Sequence, residues 1–313
     1  MSPQRIVFDF SGFDSTINYL KNRTRENFKS LVASPGNHFA YVHYSWSNMD
    51  NRTTPEEFWM AKLEKLTNGE AAIKSASNVR DYLQQQKQSR WLPGILEYLP
   101  KGHKFDTKVY LNLGYDNIAY GEDVALNLNH TSFQIEYNEA IYYLMHELAH
   151  AGYFGYNETP KLMSKTYREL ANNVKFMTHL EGMGVLTPMR LRLKESGLSD
   201  PDYIILMNPE ERIRRIKAYF EKLHMLDKRP DTIVNEAELT VYDHFSGKPL
   251  RLWYIAGYHI AQSIEAELGS DALRELVKKG SQAFFEEYHK LRDPYMTKDR
   301  QTLGSSSPKD ISQ

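Results

Sequence analysis

The most constraining feature of this chain is the run His146-Glu147-Leu148-Ala149-His150, which lies in an otherwise apolar stretch. Histidines four positions apart lie on the same side of a helix, where both rings can bind one zinc ion. The glutamate between them can accept a proton from a water on that metal. The run therefore predicts a helix that carries the zinc site of a hydrolase.

The residues that flank this run predict which face of the helix carries the histidines. At about 100° per residue, the apolar side chains form one stripe, and the histidines fall roughly opposite it. Histidines in such a run can also be ordinary core or surface residues. Here both intervening positions are uncharged and the histidines lie off the packing stripe, which favours zinc binding. The stripe consists of Ile141, Leu144, Met145, Leu148 and Ala149.

A catalytic zinc needs a third protein ligand and one open position. A histidine six residues after His150 would mark a metzincin, but Tyr156 occupies that position. Two later acids, Glu169 and Glu181, are the candidates. Spacing favours Glu169, because 18 residues separate it from His150, as in zinc aminopeptidases.

Helical phase favours Glu181 instead. In a continuous helix Glu181 falls on an apolar stripe, whereas Glu169 lies well off it. A buried carboxylate is costly unless it is paired or bound to a metal. Glu181 is therefore the predicted third ligand, and Glu169 remains the alternative. The stripe consists of Met163, Tyr167, Leu170, Val174 and Met177.

The two motifs together resemble those of the gluzincin clan of zinc metallopeptidases, which includes thermolysin and the zinc aminopeptidases. Residues 181–184 read Glu-Gly-Met-Gly, and the small residue after the acid allows a close approach of helices. The chain is more similar to poorly characterised predicted zinc-dependent peptidases with Glu-Gly-(Leu/Met)-(Ala/Gly). The resemblance covers about residues 107–184 and a weaker Tyr254-x-x-Gly257 element. Leu180 stands where aminopeptidases usually have asparagine, so the resemblance does not extend to aminopeptidase specificity.

The resemblance implies a role for each matching residue. His146, His150 and Glu181 are the expected zinc ligands. Glu147 is the expected general base, which passes a proton from the attacking water to the leaving amine. Tyr254 is the expected hydrogen-bond donor to the oxyanion.

Several other tyrosines and histidines are candidates for the site, although ordinary packing can also explain them. Tyr258 lies one turn after Tyr254 and is the alternative oxyanion donor, although packing alone explains either tyrosine. His179 is expected at the surface or against a metal ligand, because it points away from the predicted site. His259 is expected in the core, and His130 is a candidate for lining the cleft.

Composition excludes several function classes. Lys and Arg total 39 and Asp and Glu total 40, so no excess charge favours nucleic acid or an anionic membrane as partner. No stretch reaches the ~20 apolar residues of a membrane helix, and no signal peptide is recognisable. The chain has no cysteine, which excludes thiolate ligands and disulfides. We expect a cytoplasmic protein that acts on a peptide or protein substrate.

The pattern predicts an α+β fold that is mainly helical. Residues 1–103 are predicted to be a mostly helical part, 104–300 a zincin-like catalytic part, and 301–313 a disordered tail. Alternating runs at 108–113 and 124–128 predict strands of a small sheet before the histidine-bearing helix. In gluzincins the edge strand there pairs with extended substrate, and the 124–128 run is a candidate for that strand. A purely structural role of this run in the sheet is an equal alternative.

Start and stop signals predict several helix limits. One helix is expected to begin at Thr54-Pro55 and to end at Gly69. Three later helices are expected at 208–226, 252–268 and 271–291.

The sequence therefore predicts a zinc-dependent peptidase. The alternative, from a different class, is a zincin-like scaffold that binds a metal or a protein partner without turnover. The two predictions differ in whether Glu147 is needed for any reaction.

Overall fold

Helices dominate the first part of this computed structural model. The structure describes residues 4–48, 52–66, 69–160, 164–234, 245 and 250–291. The six helices described before residue 103 are α1 (Ser11–Lys21), α2 (Arg25–Ala33), α3 (Pro35–Ser47), α4 (Pro55–Glu64), α5 (Gly69–Gln85) and α6 (Gln88–Leu96).

The limits of α4 show one prediction that is confirmed and one that is wrong. α4 begins at Pro55, because the Thr54 side chain accepts the Glu57 N–H (3.2 Å) and the Glu57 carboxylate accepts the Thr54 N–H (2.8 Å). Gly69 does not end this helix. α4 already ends at Glu64, and Gly69 is the first residue of α5. Glycine is tolerated at either end of a helix, so its presence indicates a helix boundary but does not distinguish the start of a helix from its end.

A four-stranded sheet is described before the histidine-bearing helix, as predicted. β1, β2 and β4 run parallel, and β3 pairs antiparallel with β4. The strands lie in the spatial order β1-β2-β4-β3, and they are β1 (Arg5–Asp9), β2 (Asp106–Asn112), β3 (Ile118–Tyr120) and β4 (Asp123–Asn127).

Of the two alternatives for the 124–128 run, the edge strand is wrong. β4 is hydrogen-bonded on both sides, to β2 and to β3. Val124, Ala125 and Leu126 are all fully buried. These three residues are consecutive and apolar, which is typical of a strand covered on both faces. The edge strand on this side of the sheet is β3.

The helices described after the sheet confirm the α+β, mainly helical fold class. Helix 252–268 has the predicted limits, because Gly269 adopts φ +80° and ends it. The helices are α7 (Thr131–Ile135), α8 (Asn138–Phe154), α9 (Tyr167–Glu195), α10 (Pro201–Met207), α11 (Pro209–Asp227), α12 (Leu252–Leu268) and α13 (Ser270–Lys290), the last of which is interrupted at Gly280. None of the helices in the described ranges is both long and apolar enough to cross a bilayer.

β1 joins the two parts of the chain that the sequence predicts. Residues 5–9 pair in register with residues 106–110 of β2, across the predicted 103/104 boundary. Ile6 belongs to the same buried core as Val109 and Leu148. The boundary stays a prediction, and the predicted tail lies outside the described residues.

Glycines bring α9 and α12 into backbone contact. A Cβ on Gly182 would lie 2.4 Å from the carbonyl carbon of Gly257, and a Cβ on Gly257 would lie 2.2 Å from the carbonyl oxygen of Thr178. No larger side chain fits at either position without a shift of the backbone. The small residue after Glu181 therefore makes room for α12 and not for the histidine-bearing helix α8.

Candidate metal centre

α8 carries His146, Glu147 and His150 on the side that borders a large cavity. The imidazole centroids of the two histidines are 4.4 Å apart. The possible ligand atoms of the three residues all lie within 4.8 Å of one another. Leu144 and Leu148 are fully buried in the core, as the helical wheel predicts. The helix thus holds three potential metal-site groups together.

α9 brings Glu181 to both histidines. Its Oε2 lies 3.1 Å from Nε2 of His146 and 3.4 Å from Nε2 of His150. Glu169, the alternative candidate, is exposed at the start of α9, where its carboxylate accepts the backbone N–H of Lys165 (2.6 Å). The structure therefore brings Glu181 and not Glu169 to the histidine pair. Its role as a ligand remains a prediction.

The electrostatics of these buried groups fit a bound cation. Burial alone would lower the pKa of His150, but the carboxylates of Glu181 and Glu147 raise it to about 10. Burial would raise the pKa of Glu181, but His150 and His146 together hold it well below its usual range. The centre thus requires positive charge beside its carboxylates. A proton on His150 can supply that charge, and so can a divalent ion.

The donor set is suitable for zinc. Nε2 of His150 is buried and makes no hydrogen bond to any of the described residues, although Glu181 is near. An imidazole nitrogen in that position is suited to metal ligation, and two histidines with one carboxylate form a known catalytic zinc set. Zinc therefore fits the residues that are present.

Gly184 provides the space for the two imidazoles. A Cβ at this position would lie 2.7 Å from Cε1 of His146 and 2.7 Å from Nε2 of His150. The second glycine of the Glu-Gly-Met-Gly run therefore lies against α8, while the first lies against α12. These two contacts explain why both Gly182 and Gly184 are small residues.

Tyr254, the predicted oxyanion donor, borders the same cavity from α12. Burial raises the pKa of its hydroxyl and Glu181 adds to that rise, whereas Arg251 opposes it, so the phenol stays protonated. Cζ of Arg251 lies 3.4 Å from the centroid of the Tyr254 ring. Arg251 also donates from Nε to both carboxylate oxygens of Asp202, at 2.9 and 3.0 Å. These contacts hold the tyrosine at the wall of the cavity.

Tyr258, the alternative donor, does not border the cavity. Its side chain is buried, and its hydroxyl accepts a hydrogen bond from Nε2 of Gln262 (2.9 Å). Packing therefore accounts for Tyr258.

The cavity has a volume of about 1030 Å³ and is lined by distant parts of the chain. α3 contributes His43 and Trp46, and the edge strand β3 contributes Ile118 and Ala119. Sequence reasoning missed His43 and Trp46, because they precede the motif by about a hundred residues and no local pattern singles them out. Only the folding of α3 beside β3 could reveal them.

The three other histidines that the sequence analysis considered divide between cavity and core. His130 borders the cavity, as the sequence allowed. His259 is partly buried and contacts the hydroxyl of Tyr288 through Nε2 (3.2 Å), which fits a packing role. His179 is fully buried, so the surface alternative for it is wrong. Its Nδ1 contacts the hydroxyl of Tyr153 (3.0 Å), and its placement against a metal ligand stays a prediction. Its helix α9 is packed on several sides, and the side facing away from the metal centre is therefore also core.

Comparison with known proteins identifies the family. No curated protein and no solved structure matches the chain. A family model, DUF5700, described as "Putative zinc dependent peptidase", matches residues 18–292. The zinc dependence of that description and the group of His146, Glu147 and His150 confirm the predicted zinc cofactor. The match spans most of the chain, including α3 and its cavity-lining residues, and the chain therefore belongs to the DUF5700 family.

Proposed function

We propose that this protein is a zinc-dependent peptidase in which Glu147 is the general base. One observation carries the proposal: the Glu147 carboxylate lies in one compact group with His146 and His150, at the wall of a cavity of about 1030 Å³. A cavity of that size can accept several residues of a peptide. The family description supports the same reaction class.

His146, His150 and Glu181 would hold the metal. Two histidines and a carboxylate leave one position open, which is the arrangement of a catalytic rather than a structural site. When bound, zinc supplies a Lewis acid that polarises the peptide carbonyl and acidifies a water.

Glu147 and Tyr254 would perform the proton and charge steps. Glu147 takes the proton of the attacking water and delivers it to the leaving nitrogen, so the peptide bond breaks to a carboxylate and an amine. Tyr254 keeps its proton and donates a hydrogen bond to the carbonyl oxygen as negative charge develops there.

The edge strand β3 would hold the peptide substrate. β3 is paired with β4 on one side, and its residues Ile118 and Ala119 border the cavity. An extended peptide can add to such an edge through main-chain hydrogen bonds. In this proposal β3 replaces the 124–128 run as the strand that pairs with the substrate.

A cytoplasmic location stays a prediction.

Peptide hydrolysis by the zinc-loaded protein tests this proposal. The wild type should cleave members of a fluorogenic peptide library, and a chelator should abolish cleavage. Glu147→Gln should keep about one zinc per chain and lose about 10²–10⁴-fold in rate, since glutamine cannot accept the proton. Glu169→Gln, an exposed acid on α9, is the matched control and should keep full activity.

Two results would count against the peptidase. A wild type that holds zinc but cleaves nothing in the library supports the non-catalytic scaffold. Cleavage that survives in Glu147→Gln removes the general base from this residue.

A further inference from the structure

His43 on α3 borders the cavity of the metal centre, although it lies outside every motif of the catalytic part. Its ring centroid is 5.8 Å from that of Trp46, 5.9 Å from that of Tyr115 and 6.0 Å from that of Tyr120. This aromatic surrounding limits how the imidazole can turn. The ring is therefore held in place at the cavity wall.

Only one of the two ring nitrogens of His43 is engaged. Nδ1 lies 2.8 Å from the hydroxyl of Tyr115. Burial raises the pKa of Tyr115, so this phenol keeps its proton and can donate it to Nδ1. A neutral imidazole that accepts at Nδ1 carries its own proton on Nε2. Within the described ranges, Nε2 of His43 has no hydrogen-bond partner.

His43 and Glu147 border the same cavity. Burial lowers the pKa of His43, and the nearby carboxylates of Glu147 and Asp116 oppose that change only in part. The ring is thus neutral at neutral pH. A neutral imidazole N–H at the wall of the cavity that Glu147 also lines can donate a hydrogen bond to a bound substrate without competing for the metal.

His103 has a local environment similar to that of His43 but lies away from the cavity. Its Nδ1 contacts the hydroxyl of Tyr156 (3.1 Å), and its ring packs edge-on against Phe105. Burial lowers the pKa of His103 as well. His103 does not border the cavity. The two histidines therefore differ mainly in access to the metal centre, which makes His103 a matched control.

We infer that His43 is a further catalytic residue, whose Nε2–H donates a hydrogen bond to the carbonyl oxygen of the peptide bond under attack. This inference rests on the proposed peptidase function. Tyr254 would donate to the same oxygen from α12, so the two donors come from opposite parts of the chain. Tyr115 would act through His43, by keeping the proton of the ring on Nε2.

The test compares His43→Phe and His103→Phe in the zinc-loaded protein, because phenylalanine keeps an aromatic ring but has no hydrogen-bond donor. His43→Phe should lower kcat by about 10²-fold, the usual effect of losing one such donor, with little change in KM. It should also weaken binding of a phosphinic pseudo-tripeptide, whose tetrahedral anion resembles the transition state, by about 10-fold or more in calorimetry. Zinc affinity should stay at the wild-type value. His103→Phe should match the wild type in all of these measurements.

Tyr115→Phe is a second variant for the case that His43→Phe does not fold. It keeps the imidazole but removes the donor to Nδ1, so kcat and phosphinic affinity should both fall, by less than in His43→Phe. Wild-type kcat and phosphinic affinity in either folded variant would overturn the role of His43 and leave the peptidase intact. A wild type that neither cleaves peptides nor binds the phosphinic compound would overturn the peptidase as well.

Discussion

At the scale of single residues, Glu181 is the side chain whose environment has the clearest chemical consequence. A buried carboxylate is costly unless opposite charge or a metal compensates it. Glu181 is 7% exposed, and its described neighbours include two imidazoles within 3.4 Å. Glu181→Ala should therefore lower zinc affinity by more than the about 10–100-fold that loss of an outer partner costs. Titration with a zinc-selective competitor measures this.

Glu169→Ala is the control for that measurement. Glu169 caps the start of α9 by accepting the Lys165 N–H, so its loss should affect helix stability and leave zinc affinity unchanged. A larger loss of zinc affinity in Glu169→Ala than in Glu181→Ala would reverse the assignment.

The buried His179 makes a pH-dependent contribution to stability. Burial lowers its pKa from 6.5 to about 3, and its ring stacks on Phe284 with centroids 4.0 Å apart. Between these two pH values the His179 side chain is therefore protonated in the unfolded chain and neutral in the folded chain. The free energy of unfolding is unaffected above the unfolded pKa of 6.5 and falls between 6.5 and about 3. The loss is about 1.4 kcal/mol per pH unit.

Urea unfolding at several pH values checks this effect. His179→Gln keeps an acceptor for the hydroxyl of Tyr153 but cannot titrate, so its stability should fall less steeply below pH 6.5. His38→Gln, at an exposed histidine, is the control and should keep the wild-type slope. Equal slopes for His179→Gln and the wild type would contradict the prediction.

The accuracy of prediction at this scale follows from how far apart the interacting residues are in the chain. His146, Glu147 and His150 were predictable, because one helical turn sets their relation. Glu181 was predictable as the acid that reaches them, because helical phase is also local. His43 was not, because only tertiary packing brings α3 to the cavity.

At the scale of elements, the contact of α9 with α12 depends on two glycines. Gly257→Ala would place a Cβ 2.2 Å from Thr178 O and 2.8 Å from Gly182 Cα, so the helices must separate. Overpacking of this kind costs about 1–3 kcal/mol. Because α12 carries Tyr254 and α9 carries Glu181, zinc affinity and activity should fall as well. Urea unfolding and zinc titration measure the two effects.

Gly155→Ala is the matched control for this contact. A Cβ there would meet Gly152 O at 3.4 Å, an ordinary contact, and its backbone has a negative φ of −62°. This variant should keep wild-type stability and zinc affinity. If Gly257→Ala is as stable as Gly155→Ala, the close approach of α9 and α12 is not required.

Helix limits that follow from a local sequence pattern were predicted well. The positions of strands, which depend on pairing with distant segments, were not. α12 has the predicted limits, because an apolar run ends at a glycine with positive φ. The central position of β4 depends on β2 and β3 as neighbours, which no local pattern encodes. β1 was missed for the same reason, since its partner β2 lies about a hundred residues later.

At the scale of the whole molecule, the metal centre depends on both parts of the chain. β1 pairs with β2 across the predicted boundary, and α3 lines the cavity with His43 and Trp46. The family match from residue 18 to 292 also spans that boundary. The first hundred residues, which the gluzincin resemblance did not cover, therefore contribute to the wall of the candidate active site.

Zinc should stabilise the whole fold through this shared centre. Its proposed ligands lie on α8 and α9, which pack against each other, and the unfolded chain does not hold the three side chains together. A ligand that binds only the folded state adds about 2.7 kcal/mol of stability at a free concentration 100-fold above Kd. We therefore expect zinc to raise the urea midpoint of the wild type and a chelator to reverse the shift. Glu181→Ala should show a much smaller shift, whereas Glu147→Gln should keep the wild-type shift because it retains every ligand. A wild-type midpoint that zinc leaves unchanged would contradict a site formed by the folded chain.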